Sequence, residues 1–159
     1  MFRFLILTSF SLALAMPGFA ETLLDKENTA AINKEFMQAM KDKDLSIIRK
    51  YMYDGTKITV DLDPDENTGE KELTLEKYID FTKRSIEKLG TSGVDVRLVS
   101  ISFNEGRNQA TLELKVKVVT KNMGSNFKFV STKKIVLGIV DEEIKIISLK
   151  DHLISIESL

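Results

Sequence analysis

The chain has 159 residues, no cysteine and a formal net charge of −1. A chain without cysteine has no disulfides, no thiolate chemistry, no cysteine-ligated metal and no lipoprotein anchor. Its balanced charge excludes an extended basic surface for nucleic acid or for an anionic membrane, and its length fits one domain with a core of its own.

Residues 1–20 have the pattern of a secretory signal. Arg3 is followed by an apolar run over 4–15, and the small residues Gly18 and Ala20 suit cleavage before Glu21. The run is shorter than the ~20 residues that a membrane span needs, which disfavours the alternative of an uncleaved anchor. We therefore expect a cleaved signal peptide at 1–20, a flexible N-terminus at 21–28 and a single domain at 29–159. The expected location is the periplasm or the extracellular medium, with no membrane attachment after cleavage.

Two amphipathic helices are predicted next. From Thr29 to near Lys41 the apolar residues recur at helical spacing, with Phe36 in the middle of the stripe. Asp44 is the predicted N-cap of a second, shorter helix, which the Asp-Gly pair at 54–55 should end.

A strand, a turn and a long helix follow. Lys57–Leu62 has β-branched residues in short alternation and predicts a strand, and 63–69 is a predicted turn because proline and glycine punctuate a polar run. Thr74 can cap a third helix, with Gly90 as its C-terminal cap.

The C-terminal half is predicted to be an antiparallel meander. Leu112, Leu114 and Val116 alternate with charged residues, which is the period of a strand with one buried face. After Leu98 the apolar phase slips by one residue, to Val99, and such a slip predicts a β-bulge that bends the sheet. The four predicted strands cover 94–103, 109–120, 127–139 and 144–156. The expected fold is α+β, with three helices packed on one face of a curved, mixed or antiparallel sheet.

The run Phe36–Pro64 resembles the opening of the NTF2-like superfamily, which includes ketosteroid isomerase and SnoaL-like cyclases. The similar features are a charged link before Asp44, an aromatic residue and an aspartate closing the second helix, and a strand that ends in Asp-Pro. The resemblance implies a cone whose open end is an apolar pocket, in a family of enzymes, transport adaptors, ligand binders and assembly parts. Fold alone therefore does not give function.

One catalytic residue is implied by that resemblance. Asp63 before Pro64 looks like the general base of the ketosteroid isomerases, whereas the family's oxyanion-donating tyrosine falls on Phe36, which has no hydroxyl. Loss of one such donor costs about 3 kcal/mol of transition-state stabilisation. Isomerase chemistry of that type is therefore not expected.

A calcium-like spacing of acidic residues is present around the same turn. The glycine that the sharp turn of a calcium loop requires is replaced by Glu66, and a strand rather than a helix precedes the loop. A solvated acidic hairpin without metal is therefore expected. The residues with this spacing are Asp61, Asp63, Asp65, Asn67 and Glu72.

The remaining candidates are one histidine and five aromatic residues. His152 can act as a base, but the neighbouring Asp151 should point to the opposite face of the strand, so a structural or surface histidine is expected. The aromatic residues either pack in the core or line a pocket for an apolar ligand, with a tyrosine hydroxyl as polar anchor. These pocket candidates are Phe36, Tyr51, Tyr53, Tyr78 and Phe81.

Three functional hypotheses follow. The first is a non-enzymatic module, without cofactor, that binds a small apolar ligand or a protein partner through its cavity or its sheet; a polar homodimer is compatible with it. The second is a lyase or isomerase with Asp63 as base and Tyr53 or Tyr78 as helper. The third is an inhibitor or accessory subunit of another periplasmic protein.

Overall fold

The computed structural model describes residues 24–62, 69–88, 91–122 and 125–159. The predicted signal peptide, the candidate base Asp63, Asp65 and Asn67 of the calcium-like spacing, and the predicted cap Gly90 lie outside these ranges. In the described part of the chain, none of the helices is both long and apolar enough to cross a bilayer.

The first helix, α1, covers Lys26–Asp42 and begins earlier than predicted. A reciprocal pair of hydrogen bonds forms its N-cap: the Asn28 amide donates to Asp25 Oδ1 at 2.8 Å, and the Asp25 amide donates to Asn28 Oδ1 at 3.0 Å. Leu24 before it is fully buried. Residues 24–28 therefore contribute a buried side chain and the start of α1, ahead of the predicted domain start at 29.

The second helix, α2, covers Ser46–Tyr51, and the third, α3, covers Leu75–Lys88. The predicted cap Asp44 does accept a hydrogen bond from the Ser46 amide at 2.9 Å, although the helix itself begins only at Ser46. Thr74 accepts a hydrogen bond from the Lys77 amide at the start of α3, as its capping role requires.

Six strands form one open mixed sheet in the order β2-β1-β6-β5-β4-β3. The four predicted C-terminal strands are confirmed as an antiparallel meander, and β1 pairs with β6 in parallel. The short strand β2 is an element that the sequence pattern missed. The strands are β1 Met52–Asp61, β2 Lys71–Leu73, β3 Thr91–Phe103, β4 Gln109–Asn122, β5 Ser125–Val140 and β6 Glu143–Ser158.

Strand β1 begins at Met52, directly after α2, so the Asp-Gly pair at 54–55 lies inside the strand instead of separating it from the helix. The pairing of β1 with β6 is irregular between Met52 and Lys57. Thr56 bridges this irregularity, since its hydroxyl donates to the Ile146 carbonyl at 2.7 Å and accepts from the Tyr53 amide at 3.0 Å. The irregular start of β1 is therefore stabilised by hydrogen bonds of the Thr56 side chain, which the hydrophobic pattern of the sequence does not predict.

The predicted bulge in β3 is present. Leu98 pairs with Leu114 and Ser100 pairs with Glu113, which leaves Val99 between them as the extra residue. Val99 is 61% exposed. The sheet therefore bends here, and its inner face curves around the helices.

The core lies between that inner face and the three helices. Leu112, Leu114 and Val116 of β4 are buried, as their alternation predicts, and they pack with Ile48 of α2 and Tyr78 of α3. The α+β cone expected from the sequence is confirmed, with the sheet left open at β2 and β3.

Candidate functional site

A cavity of about 230 Å³ lies inside the cone, between the helices and the inner face of the sheet. Helix α1 contributes Phe36 and Met40 to its wall, and α3 contributes Tyr78 and Phe81. Apolar side chains of β3–β6 form the opposite wall, and Leu62, 53% exposed, stands at its edge. Such a concave apolar space is the usual form of a small-molecule site.

Of the five aromatic residues predicted to line a pocket, three line the cavity and two do not. Phe36, Tyr78 and Phe81 line the cavity, whereas Tyr51 and Tyr53 are not among its lining residues. The Tyr51 hydroxyl donates instead to the Glu35 carboxylate on α1. The Tyr53 ring lies over Gly55, where a Cβ atom would come within 2.4 Å of the ring. Tyr51 and Tyr53 therefore have structural roles at the α2–β1 junction.

Two charged side chains enter this apolar space from neighbouring strands. Lys133 of β5 and Asp151 of β6 are direct cross-strand partners, and the Lys133 ammonium donates to Asp151 Oδ2. Each side chain is only 15% exposed, and both line the cavity. Buried charges are paired in this way because an isolated one would lose its hydration without compensation.

This ion pair was not predicted, although the sequence contains a signal for it. Lys133 is in phase with the buried residues Ile135 and Leu137, and Asp151 is in phase with the buried Leu149. A charge at an inward-facing position of a strand is unusual and points to a pair or a site. Only the register of β5 on β6 tells that the two charges meet.

Tyr78 completes the polar part of the cavity. Burial raises the pKa of its phenol above the ordinary value; the Lys133 ammonium pulls this pKa down and the Asp151 carboxylate pushes it up. Burial lowers the pKa of Lys133, but the Asp151 carboxylate and Tyr78 raise it by more, so it lies above its ordinary value. At neutral pH the site therefore holds a protonated lysine and a neutral phenol.

The two oxygens of Asp151 differ. Oδ2 accepts from Lys133, whereas Oδ1 is buried and has no hydrogen-bond partner among the described residues. A buried carboxylate oxygen without a donor has lost hydration and gained nothing in return. Oδ1 has almost no accessible surface, so it is closed to solvent and to the cavity alike, although Asp151 as a residue borders the cavity.

His152 lies on the outer face of the sheet, which we define as the face that carries Thr132, Lys134, Lys150 and His152. Its Nδ1 is 3.0 Å from Oδ2 of Asp61, its cross-strand partner on β1. The expectation that Asp151 points away from His152 agrees with this placement. The carboxylate that contacts His152 belongs to Asp61, which was predicted only as part of a calcium-like spacing.

The remaining calcium-like residues are not assembled into a cation site. Asp61 faces His152, and Glu72 of β2 forms an ion pair of 3.2 Å with Lys57 of β1. Within the described residues, no group of three or more histidines, aspartates or glutamates is placed to hold a metal ion.

Comparison with known proteins identifies the fold but finds no curated protein or family model with a similar sequence. Hexachlorocyclohexane dehydrochlorinase LinA-type3 from Novosphingobium barchaimii superposes with a TM-score of 0.61 at 10% identity, over 84% of this chain and 90% of that one. An NTF2-like protein of unknown function in nutrient uptake from Rhodospirillum rubrum gives 0.61 at 13% identity, over 79% and 98%.

A third similar structure is an NTF2-like protein from Cytophaga hutchinsonii, with a TM-score of 0.59 at 11% identity over 82% of this chain and 99% of that one. Identities this low establish shared architecture and leave activity open. The resemblance expected from the sequence is confirmed at the level of fold, and the chain has the NTF2-like fold.

Proposed function

We propose that this NTF2-like chain binds a small, mainly apolar molecule inside its cone. The observation that carries the proposal is the apolar cavity of about 230 Å³ inside the cone, with one buried ion pair in its wall. Functional pockets combine an apolar lining with a few convergent polar groups, and they range over ~300–1,000 Å³. This cavity, at about 230 Å³, lies just below that range, so the guest is small.

The apolar lining supplies the binding energy and the polar groups supply the orientation. Removing about 200 Å² of apolar ligand surface from water contributes roughly 5 kcal/mol, before the cost of immobilising the guest is subtracted. Phe36 and Phe81 offer aromatic contact area from two helices. The guest is held mainly by burial and is oriented by the end of the cavity where Lys133 and Asp151 meet.

The test is binding of apolar probes to two matched variants. Ser131 lines the cavity, and the next residue of β5, Thr132, is exposed on the outer face. Ser131→Phe fills the cavity and should abolish binding measured by calorimetry and by the rise in Tm, whereas Thr132→Phe should leave binding unchanged. Equal behaviour of the two variants, or the absence of binding by any rigid apolar probe to the unmodified protein, would sink the proposal.

A second candidate function is a lyase or isomerase that removes a proton from a small apolar substrate. The observation that favours it is that Asp151 and Tyr78 line the same cavity, so that a carboxyl group and a phenol share one apolar space. One of the similar structures bears the name of an enzyme, a dehydrochlorinase. Turnover that disappears in Asp151→Asn would favour catalysis over binding alone. The base first considered, Asp63, lies outside the described residues.

Export and partner binding are proposed on the sequence alone. We propose cleavage after Ala20 and release into the periplasm or the medium, which mass spectrometry of the N-terminus of the fractionated protein tests. The third hypothesis, an inhibitor or accessory subunit, is tested by pull-down from periplasmic extract with Thr132→Phe as the altered bait surface.

A further inference from the structure

We propose that two copies of this chain associate through the free edge of β3, which pairs with the same strand of the second copy in antiparallel orientation. Val96 lies on the two-fold axis and faces its own counterpart. In that register Asp95 of each copy lies opposite Arg97 of the other, and Val94 lies opposite Leu98. The pairing involves the sheet edge and needs no guest in the cavity.

Strand β3 is the long free edge of the sheet. Among the described residues its only strand neighbour is β4, so one side of its backbone has no ladder of hydrogen bonds. The strand has 13 residues, whereas β2 at the opposite edge has three. A very short edge strand is one of the ways in which proteins avoid edge pairing. The edge at β3 is long instead, and it offers a template for another extended strand.

The part of this edge that can pair is bounded on both sides. The register of β3 on β4 shifts just before Gly93 and again at the bulged residue Val99. A bulge bends the strand and interrupts the ladder. The regular stretch therefore ends at Leu98, and its last five residues, Val-Asp-Val-Arg-Leu, are centred on Val96.

This stretch is complementary to itself when two copies run antiparallel about Val96. A two-fold pair places residue 95 against residue 97 and residue 94 against residue 98, once on each side of the axis. The exposed Asp95 and Arg97 then meet twice as opposite charges. On the inner face the half-buried Val94 meets Leu98, which is 37% exposed in one copy alone. Opposite charges meet, and apolar side chains meet apolar ones, at every position.

The charged residues of this stretch are poorly satisfied in a single copy. Arg97 is the cross-strand neighbour of Lys115, and like charges directly opposite each other destabilise a sheet. Asp95 lies opposite Lys117, yet neither Asp95 nor Arg97 forms an ion pair with another described residue. A carboxylate from a second copy would relieve the repulsion at Arg97. A second copy of the chain therefore fits this edge by its charge as well as by its backbone.

Charge reversal tests the pairing. Arg97→Asp sets two carboxylates against each other on both sides of the axis, and Asp95→Arg does the same with two guanidinium groups. Each should raise the dissociation constant of the dimer at least about tenfold. The double variant Asp95→Arg with Arg97→Asp exchanges the partners and should return the constant to within about threefold of the unmodified value. Sedimentation equilibrium at up to about 1 mM protein measures all four, because so small an interface belongs to the weak class.

The matched control is Lys134→Asp, which changes the net charge by the same amount as Arg97→Asp. Lys134 is exposed on the outer face in β5, two strands away from the edge. This variant should dimerise like the unmodified protein. Arg97→Asp should also remain folded by circular dichroism, since residue 97 is exposed and an aspartate there faces Lys115 as an opposite charge.

A single cysteine locates the axis, because the chain has no cysteine of its own. Val96→Cys brings two thiols together at a Cα separation of about 4.5–5.5 Å, which a disulfide can span. Val94→Cys is the control: its two copies lie about 14 Å apart along the strands, since each is opposite residue 98. We expect oxidation to cross-link the first variant and not the second on a non-reducing gel.

Three outcomes would overturn the proposal. A protein that stays monomeric at every concentration, or a dimer that neither single reversal weakens, rules out association through this edge. Failure of the double reversal to recover, or equal cross-linking of Val94→Cys and Val96→Cys, rules out the register about Val96. Binding in the cavity is tested separately by Ser131→Phe and stands or falls on that result.

Discussion

Lys133 and Asp151 face each other across β5 and β6, and their charged ends meet inside an apolar cavity, not on the wet face of the sheet. The two residues are in the same register row, so neither charge can turn outward without breaking the alternation of its strand. Several expectations follow from this placement and from the elements around it.

Removal of one partner of the pair should destabilise the fold far more than removal of both. Asp151→Leu leaves the Lys133 ammonium buried and unpaired, and we expect a loss of about 3–5 kcal/mol in the free energy of unfolding. The double variant Lys133→Met with Asp151→Leu should lie within about 1 kcal/mol of the unmodified protein. Urea unfolding followed by circular dichroism measures both. A single variant as stable as the double one would contradict the burial of the pair.

Stability should fall in alkaline solution. Lys133 and Tyr78 both have a pKa raised in the folded protein, so each holds its proton more tightly there than in the unfolded chain. Their stabilising contributions are complete below the ordinary values, near pH 10 for both groups, and are lost as the pH rises through the higher folded pKa values. The urea midpoint should therefore fall as the pH rises above about 10, the ordinary value of both groups, and the fall should be smaller in Tyr78→Phe. The matched control is Tyr53→Phe, outside the cavity, which should retain the full decrease.

The N-cap of α1 should contribute measurably to stability. Asp25→Ala removes the acceptor for the Asn28 amide, and we expect a loss of about 1 kcal/mol in the free energy of unfolding. Asp25→Asn keeps an acceptor at the same place and should lose only a fraction of that amount. If both substitutions proved neutral in urea titrations, residues 24–28 would be better described as a tail than as part of the domain.

His152 should not affect binding in the cone, because it lies on the outer face and bonds Asp61 there. We expect His152→Gln to leave the affinity for a rigid apolar probe unchanged within about twofold and to lower stability by about 1 kcal/mol through the altered hydrogen bond. Ser131→Phe provides the contrast, since it fills the cavity and should abolish that binding. A large loss of affinity in His152→Gln would place the guest on the outer face.

The fold could be predicted from the sequence where local periodicity decides the structure. The alternation of Leu112, Leu114 and Val116 identifies the buried face of β4, and the phase slip after Leu98 identifies the bulge at Val99. The helices were found by the same means, with boundaries displaced where capping decides them. Asp25 moved the start of α1 because its capping box uses an asparagine instead of the usual glutamate or glutamine.

The site could be predicted only in part, because it depends on contacts between distant segments. Phe36, Tyr78 and Phe81 were proposed from their helical stripe and do line the cavity. The pairing of Lys133 with Asp151 requires the register of two strands, and the pairing of Asp61 with His152 requires that β1 lie parallel to β6. Neither the strand register nor the parallel pairing can be predicted from the pattern of residues along the chain.

The parallel pairing of β1 with β6 also determines when the sheet can be completed during synthesis. Strand β6 lies between β1 and β5, so the first strand has no central neighbour until the last strand has been translated. A nascent chain released before β6 would carry two separate pieces of sheet with open edges, and such edges promote aggregation. Productive folding must therefore wait until synthesis has passed β6, and stalled or prematurely terminated products should be substrates for proteolysis.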